Sequence, residues 1–230
     1  MTKPARKKTA SKTSSVAHTP TCTDCFVLNC YRRDKKAPKF CLTEAAGAAE
    51  VEGSARLYAA NSADGNIARA AAEVEGRYYG KLTRVEEIVV FARRINARRI
   101  GIATCIGLVE EARVFTKVLE AKKFEWFSVL CKVGSVDKTA IGIPDELKIQ
   151  HGHHEAICNP IMQARLLNAE KTDLNVIVGL CVGHDALFNK HSDAPVTTLI
   201  TKDRVLGHNP AAALYTSGFY YKRLFDDKEL

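Results

Sequence analysis

"RRIGIATCIGLVEEARVFTKVLEAKKFEWFSVLC", residues 98–131, decides the fold. It opens on a short apolar run of strand length that ends at Cys105. A segment with Leu108, Ala112, Phe115 and Leu119 at helical spacing follows, its charges on the opposite face. A second apolar run, "WFSVLC", then ends at Cys131. Two strands separated by a whole helix pair in parallel, because a crossover of that length returns the chain to the same end of the sheet.

The alternation continues downstream. Asn159-Pro160 gives an N-cap followed by a proline suited to the first helical position, ahead of "IMQARLLNAEK". "LNVIVGLC" reads as a third strand, "HDALFNK" as a short helix and "PVTTLIT" as a fourth strand, and "NPAAALYTSG" repeats the Asn-Pro helix start. Upstream, Ile67, Ala71, Val74 and Tyr78 recur at helical spacing, as do Val85, Ile88, Val89, Ala92 and Ile95. The expected architecture is α/β: a mainly parallel, Rossmann-like sheet with helices on both faces and a small four-cysteine metal-binding segment before it. Strands are expected near residues 99–104, 126–131, 175–180 and 196–201. The helical region from 65 to 95 is expected to pack on the sheet. By domain, residues 1–19 form a disordered basic tail, 20–44 the four-cysteine segment, and 45–230 the α/β domain with its N-terminal helical region.

Composition narrows the class. Of 230 residues 46% are hydrophobic and 26% charged, the balance of a globular chain, and no apolar run is long enough to span a bilayer. The formal charge is +8, but Lys3, Arg6, Lys7, Lys8 and Lys12 supply five of those charges, so the remainder is close to balanced. Nucleic-acid binding is therefore not expected beyond that tail, and no membrane partner is expected. Without an apolar stretch after the N-terminal basic residues, the sequence has no export signal to read, and a cytoplasmic protein is expected. There is no G-x4-G-K-[ST], no G-x-G-x2-G and no serine nucleophile elbow.

Eight cysteines in a chain of this kind point to metal binding or thiol chemistry rather than to structural disulfides. They fall into two groups. Cys22, Cys25, Cys30 and Cys41 are spaced C-x2-C-x4-C-x10-C in a stretch with little periodicity, where ligation would supply the folding energy. Cys105, Cys131 and Cys181 each close an expected strand and have a glycine within two or three residues, while Cys158 precedes a helix start. Parallel strands end on one edge, so these four thiols are expected to converge in the crevice there. For any one of them the ordinary alternative is a small buried hydrophobe. His184, His208 with Asn209, and His153 with His154 are the nearby candidates for ligation or proton transfer. Asp185 and Asp203 read as cap or turn residues.

The segments "CTDCFVLNC", "IGIATCIGLVEEA", "CKVGSVDK", "CNPIMQA", "VGLCVGHD" and "DRVLGHNPAAALY" carry a resemblance. Over about Thr21 to Tyr221 the chain resembles a Cys-rich prokaryotic family labelled as metal-binding, domain of unknown function 1847. The resemblance implies metal binding by the cysteine sets and carries no activity with it. Leu42 stands after Cys41 where many cluster motifs have proline, which leaves the cluster type open.

Three functions follow as expectations. The first is a metalloprotein with one or two centres, iron–sulfur (4Fe–4S) or zinc. In it Cys22, Cys25, Cys30 and Cys41 hold one centre, and Cys105, Cys131, Cys158 and Cys181 line a second, redox or sulfur-handling site. Cys181, His184 and His208 are its candidate catalytic groups, and a small molecule or an electron-transfer protein its partner. The second is a zinc-stabilised, non-catalytic protein that binds a partner or senses metal. The third is a thiol redox enzyme with a disulfide at the strand ends.

Overall fold

A computed structural model describes residues 18–226; the first seventeen residues of the expected basic tail lie outside the described residues. The chain divides into two compact units, one ending at Gly65 and one beginning at Asn66. The sequence reading instead begins its α/β domain at residue 45. The first unit contains a turn at Cys22–Asp24, α1 (Asn29–Arg32) and α2 (Leu42–Arg56). A break at Gly47, with φ of +75°, interrupts α2. No residue in these elements is buried. Apolar packing therefore contributes little there, the situation in which a bound metal matters most to a small fold.

The second unit runs α3 (Ala63–Tyr78, its first turn at the boundary), α4 (Arg84–Arg94), β1 (Arg99–Thr104), α5 (Val109–Ala121), β2 (Glu125–Leu130), α6 (Pro160–Ala169), β3 (Leu174–Val178), α7 (His184–His191), β4 (Val196–Ile200) and α8 (Ala211–Tyr215). All four strands are parallel, in the order β2-β1-β3-β4. β1 and β3 are central and almost fully buried, which is why they read as continuous apolar runs, whereas the edge strands β2 and β4 are only partly covered. The chain passes through α5 from β1 to β2, back across β1 through α6 to β3, and through α7 to β4. With the right-handed crossovers that parallel strands adopt, α5 covers one face of the sheet and α6 and α7, which pack on each other, the opposite face.

On α4 and α5 the expected helix faces are the buried ones, whereas on α3 Val74 is buried together with Ala70, and Ala71, expected on that face, is exposed. Leu108, Ala112, Phe115 and Leu119 are in the core, as are Ile88, Val89 and Ala92 of α4. Burying a leucine or phenylalanine of this kind contributes about 2 kcal/mol. Thr83 and Glu86 cap α4 reciprocally. At the start of α6, Asn159 accepts a hydrogen bond from the Met162 N–H at 3.0 Å and Pro160 occupies the first turn. The second Asn-Pro pair behaves differently: Pro210 itself precedes α8, and the Asn209 side chain does not cap it. Among the described residues no helix is long and apolar enough to cross a membrane.

Two fully buried polar side chains fix the centre of the sheet. Asn175 on β3 accepts from the Thr172 hydroxyl at 2.8 Å and donates to the Ser192 hydroxyl at 2.8 Å. Gly101, its register partner on β1, leaves the space that the Asn175 amide occupies. Gln163 on α6 donates to the carbonyls of Thr104 (3.2 Å) and Val129 (2.7 Å), tying the ends of β1 and β2 together beneath the cysteines.

Candidate functional site

The order β2-β1-β3-β4 reverses direction between β1 and β3, so the loops after these two strands leave toward opposite faces and open a crevice. Cys105 and Cys131 each follow their strand directly, and their backbones prolong the sheet. The Cys105 N–H donates to the Val178 carbonyl at 3.1 Å, and the Cys131 N–H to the Thr104 carbonyl at 2.8 Å. The next residue to join is on the loop before α6, where the Asn159 N–H donates to the Cys131 carbonyl at 2.7 Å and so holds Cys158 beside Cys131. Cys181 comes three residues after β3, past Gly179 at φ +75° and Leu180, rather than directly at the strand end as the sequence suggests. Gly179 is required there, because any Cβ would fall 2.7 Å from Leu108.

Cys131 is the hub. Its thiol is a hydrogen-bond neighbour of both the Cys105 and the Cys158 thiols. The turn after Cys105 wraps N–H groups around the sulfurs: Ile106 N–H donates to Cys131 Sγ at 3.3 Å, and Gly107 N–H to Cys105. The hydrogen bond from Cys131 draws the Cys105 thiol down to about 5, helped by the Gly107 N–H and by Lys202 and Arg204, against the opposing effect of burial. Cys158 is drawn down to about 5 by the same Cys131 thiol, with Lys132 and His184 contributing. Cys131, as donor to both, is pushed up. Arg204 donates to Cys181 Sγ at 3.1 Å, and its charge also acts on Cys105 and Cys158, so the fourth thiol borders the same crevice. Among the described residues no three His, Cys, Asp or Glu side chains stand ready-made around an ion. The thiols meet as hydrogen-bonded neighbours. As a donor set, soft sulfur with no competing carboxylate suits zinc or iron–sulfur.

The histidines separate. His184 opens α7 and its charge acts on Cys158. His208 turns into its own loop, where its Nδ1 accepts the Asp203 N–H at 3.1 Å, and it borders a different hollow with Glu111, Ile200 and Pro210. His153 and His154 build the 132–158 connection. The His153 carbonyl accepts Lys148 Nζ at 3.0 Å, and the His154 ring faces Ser135 and Asp137. Lys148, its side chain only 6% exposed, also reaches Asp137 (3.1 Å) and Asp145 (3.2 Å). The Thr139 N–H and hydroxyl, then the Glu155 N–H, hold the Asp137 carboxyl well below the usual range. Replacing Lys148 with Met should leave two carboxylates and a carbonyl without their shared cation. We expect faster amide exchange and proteolysis within residues 132–158 and a weakened sheet-edge site. Exchange in that segment no faster than in the parent would show that Lys148 does not clasp it.

Lys132, Lys202 and Arg204 went unread in the sequence. Their signal was positional: each follows a strand at its carboxyl end, as in "CK" and "TKDR". Gln163 was hidden within an apolar helix stripe.

In the first unit Cys22, Cys25, Cys30 and Cys41 line one small cavity of about 50 Å³, together with Leu28, Pro38 and Phe40.

A family described as "Protein of unknown function (DUF1847)" matches residues 41–199. That span holds all four sheet-edge cysteines and Cys41, but not Cys22, Cys25 or Cys30. An uncharacterized protein of Methanocaldococcus jannaschii is 52% identical over 162 residues, covering 70% of this chain and 81% of the relative.

Proposed function

The chain belongs to the DUF1847 family of proteins of unknown function, and from that premise and the thiol crevice we propose that it is a cytoplasmic metal-binding protein of the iron–sulfur type. In this reading Cys105, Cys131, Cys158 and Cys181 would hold one centre, and Cys22, Cys25, Cys30 and Cys41 the other. The observation that carries it is the position of Cys131, whose thiol neighbours two others under N–H donors from the Cys105–Leu108 turn. Hydrogen bonds to sulfur are a known means of tuning thiolate-bound clusters. A bound cluster would supply one-electron chemistry and, at a metal lacking one thiolate, a Lewis-acid position. The chain's own residues do the rest. Arg204 holds Cys181, Lys132 holds Cys158, and His184 is the group able to carry a proton at the crevice. For that role the geometry supports His184 over His208.

The mutual influence of these thiols also favours a second reading, in which Cys131 forms a disulfide with Cys105 or Cys158. Purification without oxygen, followed by metal, sulfide and thiol analysis, separates the two. The expected result is a coloured protein with two centres, and a Cys25→Ser variant with one. Colourless zinc-loaded protein would turn the reading toward a zinc-stabilised, non-catalytic binding or sensing role. Metal-free protein with paired thiols would replace it with the redox one.

A further inference from the structure

The crevice carries more positive charge than its thiols use. Lys132 is spent: its Nζ donates to the Ala156 carbonyl at 2.6 Å and to Cys158. Lys202 is not. It lies two residues past β4, partly buried, with its ammonium over the turn after Cys105. A Cβ on Gly107 would fall 2.8 Å from Lys202 Nζ, so the missing side chain is what admits the ammonium. Among the described residues Lys202 makes no hydrogen bond and has no carboxylate within ion-pair distance. Arg204 gives one hydrogen bond, to Cys181, and leaves the rest of its fork of donors free.

Asp203 and Asp185, the acids beside this loop and beside Cys181, lie outside ion-pair distance of both cations and are turned toward backbone N–H groups. Asp203, between the two cations, accepts the N–H groups of Val205 (2.9 Å) and Leu206 (2.8 Å). Asp185 accepts the Ala186 N–H at 2.8 Å. Two cations with unspent donors therefore act together on Cys105, at the point where the sheet order reverses. A partly desolvated ammonium without a partner is costly to hold, and an anion removes that cost.

We propose that Lys202 and Arg204 form an anion subsite over the thiol crevice that receives a small tetrahedral oxyanion, of sulfate, thiosulfate or phosphate type. A tetrahedral ion offers oxygens to an ammonium and a guanidinium on different residues at once, whereas a carboxylate presents one planar edge. The subsite rests on the reading of this crevice as the working site, and it names the chemical class of substrate; the binding itself requires only the two cations.

The test is calorimetric titration of the full chain, as purified without oxygen, with thiosulfate and with phosphate at low ionic strength. Lys202→Met, Arg204→Met and a control, Lys117→Met on α5, are titrated alongside, and metal is measured in every sample. The expected result is one anion per chain, weakened about tenfold or more by either crevice substitution and unchanged in the control. Equal binding by all four proteins, or equal weakening in all three variants, would overturn the subsite. Anion binding lost in the two crevice variants of a metal-free protein would support the subsite and sink the metal reading. A metal-loaded protein that binds no anion would do the reverse.

Discussion

Cys131→Ala is expected to remove one metal centre per chain while the N-terminal quartet stays loaded. Cys131 is 1% exposed and is the thiol that neighbours two others, so its loss takes away the middle of the donor set rather than one corner. Metal analysis on protein made without oxygen is the direct readout, and unchanged stoichiometry would end the assignment. Titration of the metal-free, reduced protein gives a second readout. In the parent, Cys105 and Cys158 are held at about 5, chiefly by the Cys131 hydrogen bond, so both are thiolates at pH 7. Removing the donor lets both rise toward the ordinary value of 9.0, and both become protonated at pH 7. The thiolate ultraviolet absorbance step should therefore move up in pH. Cys131→Ser separates the two roles: its hydroxyl can still donate, so the low titration should persist in part while the metal is lost. An alanine variant that titrates like the parent would mean the three thiols are not coupled through Cys131.

The largest effect on stability is expected from Gly101→Ala. A methyl group there would fall 1.9 Å from Asn175 Oδ1 and 3.1 Å from Leu167 Cδ1. Oδ1 is the far end of a side chain, but that side chain is fully buried and bonded at both ends, to Thr172 and Ser192. Making room requires breaking at least one of those hydrogen bonds in a site closed to water. Overpacking costs about 1–3 kcal/mol and an orphaned buried polar group a similar amount, so a loss of about 3–5 kcal/mol is expected. For a chain of this size that lowers the melting temperature by roughly 10 °C or more. Adding Asn175→Ala should recover part of the loss, because the methyl then has a vacated volume to enter. Denaturant midpoints for the two single variants and the double variant measure this. A Gly101→Ala protein as stable as the parent would show that the Asn175 network is not fixed as described.

The sheet was legible because its central strands are covered on both faces. Ile100, Ile102, Val176, Ile177 and Val178 are buried whichever way they point, and such runs stand out in any sequence. Cys105 was legible for the same reason, since it ends such a run, and Cys131 because it closes the apolar end of the edge strand β2. Cys181 was only approximately so: Gly179 turns the chain before it, and a turn inside an apolar run leaves no break in hydropathy. The first Asn-Pro start behaved as local chemistry dictates, whereas the second did not, because Asn209 lies within the loop that Asp203 and His208 organise. That loop also took His208 away from the thiols. Lys202 and Arg204 were illegible for a different reason: a charged tetrapeptide in a loop looks like solvated surface until the sheet order puts it above the cysteines. The 132–158 connection hid its order in ion pairs among residues of ordinary loop composition.

The placement of β1 between β2 and β3 also sets a sequence of events in time. The cysteines at 22, 25, 30 and 41 all precede the first strand and lie within twenty residues of one another, so in the proposed reading they could capture metal before any of the sheet is made. The other set spans Cys105 to Cys181, and the β1–β3 pairing that opens their crevice closes a loop of about seventy residues. That pocket exists only once β3 has docked beside a strand made long before it. In the proposed reading the two sets would therefore be filled at different stages, the first before the sheet exists and the second only after it has formed.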